Sequence, residues 1–301
     1  MSLESGFVPR EMKLAKIIPV YKDSDKHEFT NYRTISLLSS FSKLLDKIVS
    51  RQINANNILY KHQYGFRAKH NTSHPVVHFT HKIYNALNQS PSATTIAIFI
   101  DLKKAFDTVD HDILLKKMEH YGIRNRANDW FKSYLSEREQ FVTINGTNSE
   151  NITIKCGVPQ GSVLGPLLFL LFINDLPNAT DFLTLLFADD TTFQVSGCDI
   201  PKLFEYANLE LQKASNWFKA NKLTLNVKKT KLVRAACVRF HGTKCLLLTA
   251  FFLLLLFLLS SLCPCYFSPR RGYHRGQTPP APGWSIFQLF FWKKRKVLRI
   301  A

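Results

Sequence analysis

The 301-residue sequence is poor in acid, with 22 Asp and Glu against 40 Lys and Arg, a net charge of +18 and a pI near 9.7. That balance argues against a basic partner. It favours a polyanion, nucleic acid first and an anionic membrane surface second. From residue 234 to residue 301 acid is absent altogether, while eleven Lys and Arg remain and four of the six cysteines cluster there (Cys237, Cys245, Cys263, Cys265). Such a break in composition suggests two kinds of sequence joined near Val233. Cys156 and Cys198 lack metal-ligand spacing and read as ordinary reduced thiols. The opening residues, Met1-Ser2-Leu3-Glu4-Ser5, lack a basic stretch followed by an apolar one, so no secretory signal is expected. No internal repeat is visible, and strands and helices do not alternate in strict βαβ order.

What is present is a hydrophobic content of 46%, enough for a sizeable core in one large domain or two modest ones. Apolar spacing predicts helices over about 36–58, 76–87, 112–121, 128–135, 162–174 and 201–220. Strands are expected at 13–21, broken by Pro19, at 94–100 and at 223–227. The run 94–100 is continuously apolar and so buried on both faces. Hairpins are expected over 141–154, turning at Asn145-Gly146, and over 184–195. The fold class that follows is α+β, an antiparallel sheet backed by helices.

Three carboxylates stand where carboxylates are expensive. Asp189 and Asp190 lie inside a mostly apolar run, Leu185-Leu186-Phe187-Ala188-Asp189-Asp190-Thr191-Thr192-Phe193, and Asp101 ends the strand 94–100. Acids in such settings need a partner. A hard divalent cation such as Mg²⁺ suits carboxylate oxygens and keeps waters that a phosphate can displace. Two such ions would clamp the attacking and leaving oxygens of a phosphoryl displacement, which points to nucleotidyl transfer. His111 with Asp107, Asp110 and Asp112 resembles a metal cluster, but capping of the following helix explains it better.

Six stretches in order resemble the motifs of reverse transcriptases of non-LTR (LINE-type) retrotransposons. They are Asn31-Tyr32-Arg33-Thr34-Ile35-Ser36, Gln63-Tyr64-Gly65-Phe66-Arg67, Phe99-Ile100-Asp101 through Phe106 to Asp110-His111, Gly157-Val158-Pro159-Gln160-Gly161-Ser162, Phe187-Ala188-Asp189-Asp190, and Trp217-Phe218 through Asn226 to Lys231. The likeness covers roughly residues 6–233. Thr34 stands where the family usually carries proline. The resemblance implies a right-hand polymerase of fingers and palm, with residues 1–90 fingers-like and 91–233 palm-like. It implies RNA-templated DNA synthesis from dNTPs on a primer, with two Mg²⁺, or Mn²⁺ in substitution, held by Asp101, Asp189 and Asp190. Phe106 matches the steric gate against a ribose 2′-OH; the plain alternative is a core phenylalanine. Gln160 and Gly161 match the lining of the nucleotide and template site, the alternative being an ordinary Gly turn into a helix. Lys229 matches a lysine near the leaving pyrophosphate, though it sits in a basic run that also suits a solvated face. Arg33 and Arg67 could hold phosphate bidentately.

The sequence departs from a complete family member. It shows no endonuclease domain and no recognisable thumb, and residues 234–301 read as an unrelated basic tail. Within the tail, residues 246–262 are apolar and barely long enough for a membrane-spanning helix. Residues 277–284 read as a Pro-rich linker, and Lys293-Lys294-Arg295-Lys296 as a nuclear-import patch. A frameshift or translation into adjoining DNA explains such a tail better than a selected anchor. The expected compartment is nucleus or cytoplasm for an active enzyme, and membrane if residues 246–262 insert. The competing reading is an inactive retrotransposon-derived fragment. No protein partner is expected.

Overall fold

Two sheets carry the site, and each is completed by strands far apart in sequence. The computed structural model describes residues 2–22, 25–89, 91–236, 238–240 and 243–245. These lie within one compact unit, Met1–Leu247. The apolar run 246–262 and the rest of the tail lie outside the described residues.

In chain order the elements are α1 (Ser2–Ser5), β1 (Leu14–Tyr21), β2 (Tyr32–Leu37), α2 (Ser40–Asn54), α3 (Ser73–Leu87) and β3 (Thr94–Ile100). Next come α4 (His111–His120), α5 (Arg126–Leu135), β4 (Arg138–Ile144), β5 (Thr147–Asn148) and β6 (Ile152–Ile154). The last are α6 (Leu164–Ile173), β7 (Leu183–Phe187), β8 (Asp190–Gly197), α7 (Ile200–Ala220) and β9 (Lys231–Ala235), followed by the antiparallel ribbon of β10 (Val238–Phe240) and β11 (Thr243–Cys245).

The first sheet runs β2-β1-β4-β5, with β6 also on β4. Strand β1 pairs antiparallel with β2 and parallel with β4. Pro19 does not break β1: β4 reaches only Leu14 to Ile17, so the residue without an N–H donor sits where the strand has an open side. Asn145 and Gly146 both take positive φ, 51° and 82°, and turn β4 into β5 as their sequence predicts.

The second sheet runs β7-β8-β3-β9, all antiparallel. All seven residues of β3 are buried, as a central strand requires. Ile96, Ile98 and Ile100 join Phe193 in the main core, with Leu114, Met118, Phe169 and Phe218 from the helices. On the other face Phe99 meets Phe79 of α3, ring centroids 5.8 Å apart. The strand expected at 223–227 is instead a single bridge, Leu102 to Leu225, and the true edge strand β9 follows at Lys231–Ala235. Its basic, alternating residues fit an exposed sheet edge, which is why apolar runs alone pointed to the wrong segment.

Helix α2 turns a different side inward from the one its apolar spacing predicts. Ser42, Asp46, Val49 and Ile53 are buried, while Phe41, Leu44 and Ile48 are exposed. The cause is Asp46, fully buried, whose Oδ2 accepts from the backbone N–H groups of Val163 (3.1 Å) and Leu164 (3.5 Å) and from the Tyr134 hydroxyl (3.4 Å). A carboxylate at the start of α6 satisfies orphan N–H groups and complements the helix dipole. Burial nevertheless pushes its pKa up, and the hydrogen bonds from Leu164, Val163 and Tyr134, with the nearby Arg138 charge, offset only part of that. Replacing Asp46 by Ala leaves those donors unpaired and should cost about 2–4 kcal/mol. For a domain of this size that is roughly a 5–15 °C loss in Tm by differential scanning calorimetry. Asp46→Asn keeps an acceptor and should lose clearly less.

Candidate active site

The β7–β8 hairpin pairs Phe187 with Asp190, so Ala188 and Asp189 form a two-residue turn. Ala188 is held at φ 57°, a conformation that costs a residue with a Cβ. On the neighbouring strand, Ile100 is in register with Thr191. Asp101 follows directly on that last pair, and its charge reaches both Asp189 and Asp190. The sheet thereby brings to one end the three acids that the sequence separates.

Their electrostatics record that proximity. Burial, then the charges of Asp189 and Asp101, push the Asp190 pKa up to about 7. Asp189 is also raised, by burial first and then by Asp101, while Arg33 and Lys22 pull it back. Asp101 accepts from Asn226 Nδ2 at its Oδ2 (2.7 Å), and the Asn226 N–H donates to its backbone carbonyl (2.8 Å). Among the described residues no three His, Cys, Asp or Glu side chains form a ready-made metal cage. The Asp189 and Asp101 charges add to the burial that raises the Asp190 pKa, and a cation among the three would offset that repulsion. The donor set, carboxylate oxygens with a basic rim, fits a hard divalent ion.

The second wall comes from three directions. Residues 105–108 form a 3₁₀ turn after Lys104, which adopts a left-handed φ of 49°. Phe106 on that turn is half-buried, against Phe169 (4.8 Å between centroids) and edge-on to Phe66 (6.4 Å). Gln160 Nε2 donates to Asp107 Oδ1 (2.8 Å), and burial raises the Asp107 pKa against that bond. The carbonyl of Gln160 accepts from the Ser36 N–H of β2 (2.6 Å). Gly161 sits at φ 112°, and a Cβ there would lie 2.6 Å from the Ser36 carbonyl oxygen. Only glycine fits between that strand and the start of α6.

The remaining sequence candidates fall as follows. Arg33 lies on β2, near enough to Asp189 to lower its pKa. Arg67 is half-buried, and its Nη1 donates to the carbonyls of Tyr60 and Gln63, both at 3.2 Å, closing its own loop. Lys229 is exposed on the turn after Asn226. Asp110 caps α4 by accepting from the Ile113 N–H (3.0 Å), as the capping interpretation expects, whereas His111 Nε2 contacts the Gly157 carbonyl (2.7 Å) and Asp107 accepts from Gln160. Sequence reasoning missed Asn226, Gln63 and Asp46 as contributors. Gln63 and Asn226 fall inside the quoted motifs without a role of their own there, and Asp46 left a different sign, a carboxylate set among the apolar positions of an amphipathic helix.

A family model described as "Reverse transcriptase (RNA-dependent DNA polymerase)" matches residues 22–245, past the limit near 233 that the motifs suggest. The chain is 38% identical over 186 residues to the probable RNA-directed DNA polymerase from transposon BS of Drosophila melanogaster, covering 58% of this chain and 20% of that protein. It is 32% identical over 235 residues to the RNA-directed DNA polymerase from mobile element jockey of the same organism, covering 71% and 25%. The chain thus spans a fifth to a quarter of the length of these relatives. Among solved structures, telomerase from Candida tropicalis in complex with a TWJ fragment of telomeric RNA superposes with a TM-score of 0.54 at 16% identity, over 79% of this chain and 44% of that one. That likeness shows the shared α+β fold. Six ordered motifs, a sheet that gathers three acids at one end and a family match across most of the chain lead to one conclusion: the chain belongs to the reverse transcriptase family, with its relatives in non-LTR retrotransposons.

Proposed function

We propose that this chain is the fingers and palm of an RNA-directed DNA polymerase that adds dNTPs to a primer 3′-OH on an RNA template. The observation that carries the proposal is the meeting of Asp101, Asp189 and Asp190 at one sheet end, where the Asp101 charge raises the cost of ionising both Asp189 and Asp190. In this reading residues 1–90 form the fingers and residues 91–233 the palm, with β4–β6 completing the fingers sheet. Asp101, Asp189 and Asp190 hold two Mg²⁺, or Mn²⁺, which when bound lower the pKa of the primer hydroxyl and neutralise the triphosphate.

The chain's own residues bind and orient. Arg33 and Lys22, which already bias Asp189, supply positive charge for the triphosphate. Arg67 braces the loop beside it and presents the rest of its guanidinium to phosphate. Gln160 and Gly161, fixed by Asp107 and Ser36, offer a rigid floor for base and sugar. Phe106, packed against Phe169, is a stiff ring under the sugar that leaves no room for a 2′-OH. Lys229 delivers a proton toward the departing pyrophosphate. Rigid placement of this kind is where most of the rate enhancement in phosphoryl transfer originates.

Primer extension on poly(rA)–oligo(dT) with Mg²⁺ or Mn²⁺ tests the proposal. Asp189→Ala should reduce extension at least about a hundredfold; extension by the unaltered chain that survives this substitution contradicts the assignment. No extension by well-folded protein favours the inactive-fragment reading instead. Phe106→Ala should lower the preference for dNTP over rNTP by about 10–200-fold in single-nucleotide addition. An active Phe106→Ala preparation that still rejects ribonucleotides removes the gate from Phe106. Independently of turnover, Mg²⁺ should raise the Tm of the unaltered protein and leave that of Asp101→Asn/Asp189→Asn unmoved.

A further inference from the structure

The turn that bears Asp189 is gripped from outside its own sheet. Residues 62–64 run alongside β7: the Leu186 N–H donates to the His62 carbonyl (3.0 Å) and the Tyr64 N–H to the Leu186 carbonyl (2.8 Å), a parallel bridge centred on Gln63. Gln63 is 1% exposed, and its Oε1 accepts from two backbone N–H groups, those of Gly65 (2.8 Å) and Ala188 (3.1 Å). Both donors are N–H groups, which fixes which end of the amide faces them. The other end, Nε2, is buried without a partner, so the side chain gives up one bond to make these two. From the same side Gly65 presses on the turn: a Cβ there would lie 2.2 Å from the Ala188 nitrogen. The residue held is Ala188, buried and at φ 57°, the one strained position between Phe187 and Asp189.

We infer that Gln63 is a positioning residue for the acidic turn. Its carbonyl oxygen fixes the Ala188 N–H, and Gly65 admits the close approach. Together they keep an alanine in a conformation it otherwise avoids, and so set where Asp189 and Asp190 point. The inference rests on the polymerase reading for its catalytic consequence, but not for the grip itself. A carboxylate site is sensitive to such a device, since a displacement of about 1 Å in positioned groups costs on the order of a hundredfold in rate.

Two substitutions separate positioning from filling space. Gln63→Met keeps length and bulk but has no comparable acceptor, whereas Gln63→Glu keeps an oxygen facing both N–H groups. Hydrogen–deuterium exchange resolved at the Ala188 amide should speed up about tenfold in Gln63→Met and stay near the unaltered rate in Gln63→Glu. In single-nucleotide addition, Gln63→Met should lose tenfold or more in kcat with less than about a threefold change in KM for dNTP. Adding Ala188→Gly, which removes the need to restrain a left-handed alanine, should restore part of that kcat; a residue that merely fills space gives no such rescue. Unchanged Ala188 exchange in Gln63→Met overturns the inference. Should Gln63→Met fail to melt cooperatively, the unaltered protein decides: Ala188 exchanging at the rate of an unstructured peptide overturns the grip, and strong protection supports it. If the unaltered chain extends no primer, the polymerase reading falls while the exchange data still judge Gln63.

Discussion

The structure depends on keeping three like charges closer together than they would choose. Asp101 sits at the end of a strand buried on both faces, and Asp189 and Asp190 lie at a two-residue turn on the adjacent hairpin. Asn226 supports Asp101, and Arg33 with Lys22 offsets part of the cost at Asp189. Burial first raises both Asp189 and Asp190, the Asp101 charge adds to each, and the Asp189 charge helps push Asp190 to about 7. The cost is borne by the surrounding core, where β3 and β8 are stitched from Thr94 to Ile100 and α6 packs apolar residues on nearly every side.

The frame is interlocked across the chain. The N-terminal segment does not sit beside the sheet that bears the acids as a separate lobe; it reaches into it at successive points. Ser36 ties down the Gln160 carbonyl, Asp46 caps the helix that follows Gly161, and Gln63 with Gly65 holds the turn before Asp189. In return β4, from the later part of the chain, inserts beside β1. Each contact is a backbone group meeting a side chain or another backbone group. The positions they fix are therefore set by local geometry rather than by long flexible side chains.

Much of this was legible beforehand. The continuous apolarity of β3, the Asn145-Gly146 turn and the acid pair in its hairpin each carried a direct physical meaning, and all three appear where expected. What escaped notice depended on long-range geometry. Nothing local in residues 231–235 marks an edge strand that only its pairing with β3 defines. The apolar face of α2 is only partly inward, Val49 and Ile53 but not Phe41, Leu44 or Ile48, and a helix wheel cannot anticipate a buried carboxylate needed at the start of a helix more than a hundred residues later. The support given by Asn226 to Asp101 was similarly invisible, being a contact across 125 positions.

The most direct question is whether the three acids share cations. Crystals of the protein soaked in Mn²⁺ and measured at the manganese absorption edge would locate the ions without reference to activity. Two anomalous peaks about 3.5–4 Å apart, bounded by Asp101 on one side and Asp189 and Asp190 on the other, are the expected result. Well-ordered carboxylates with no peak between Asp101 and the turn would contradict it.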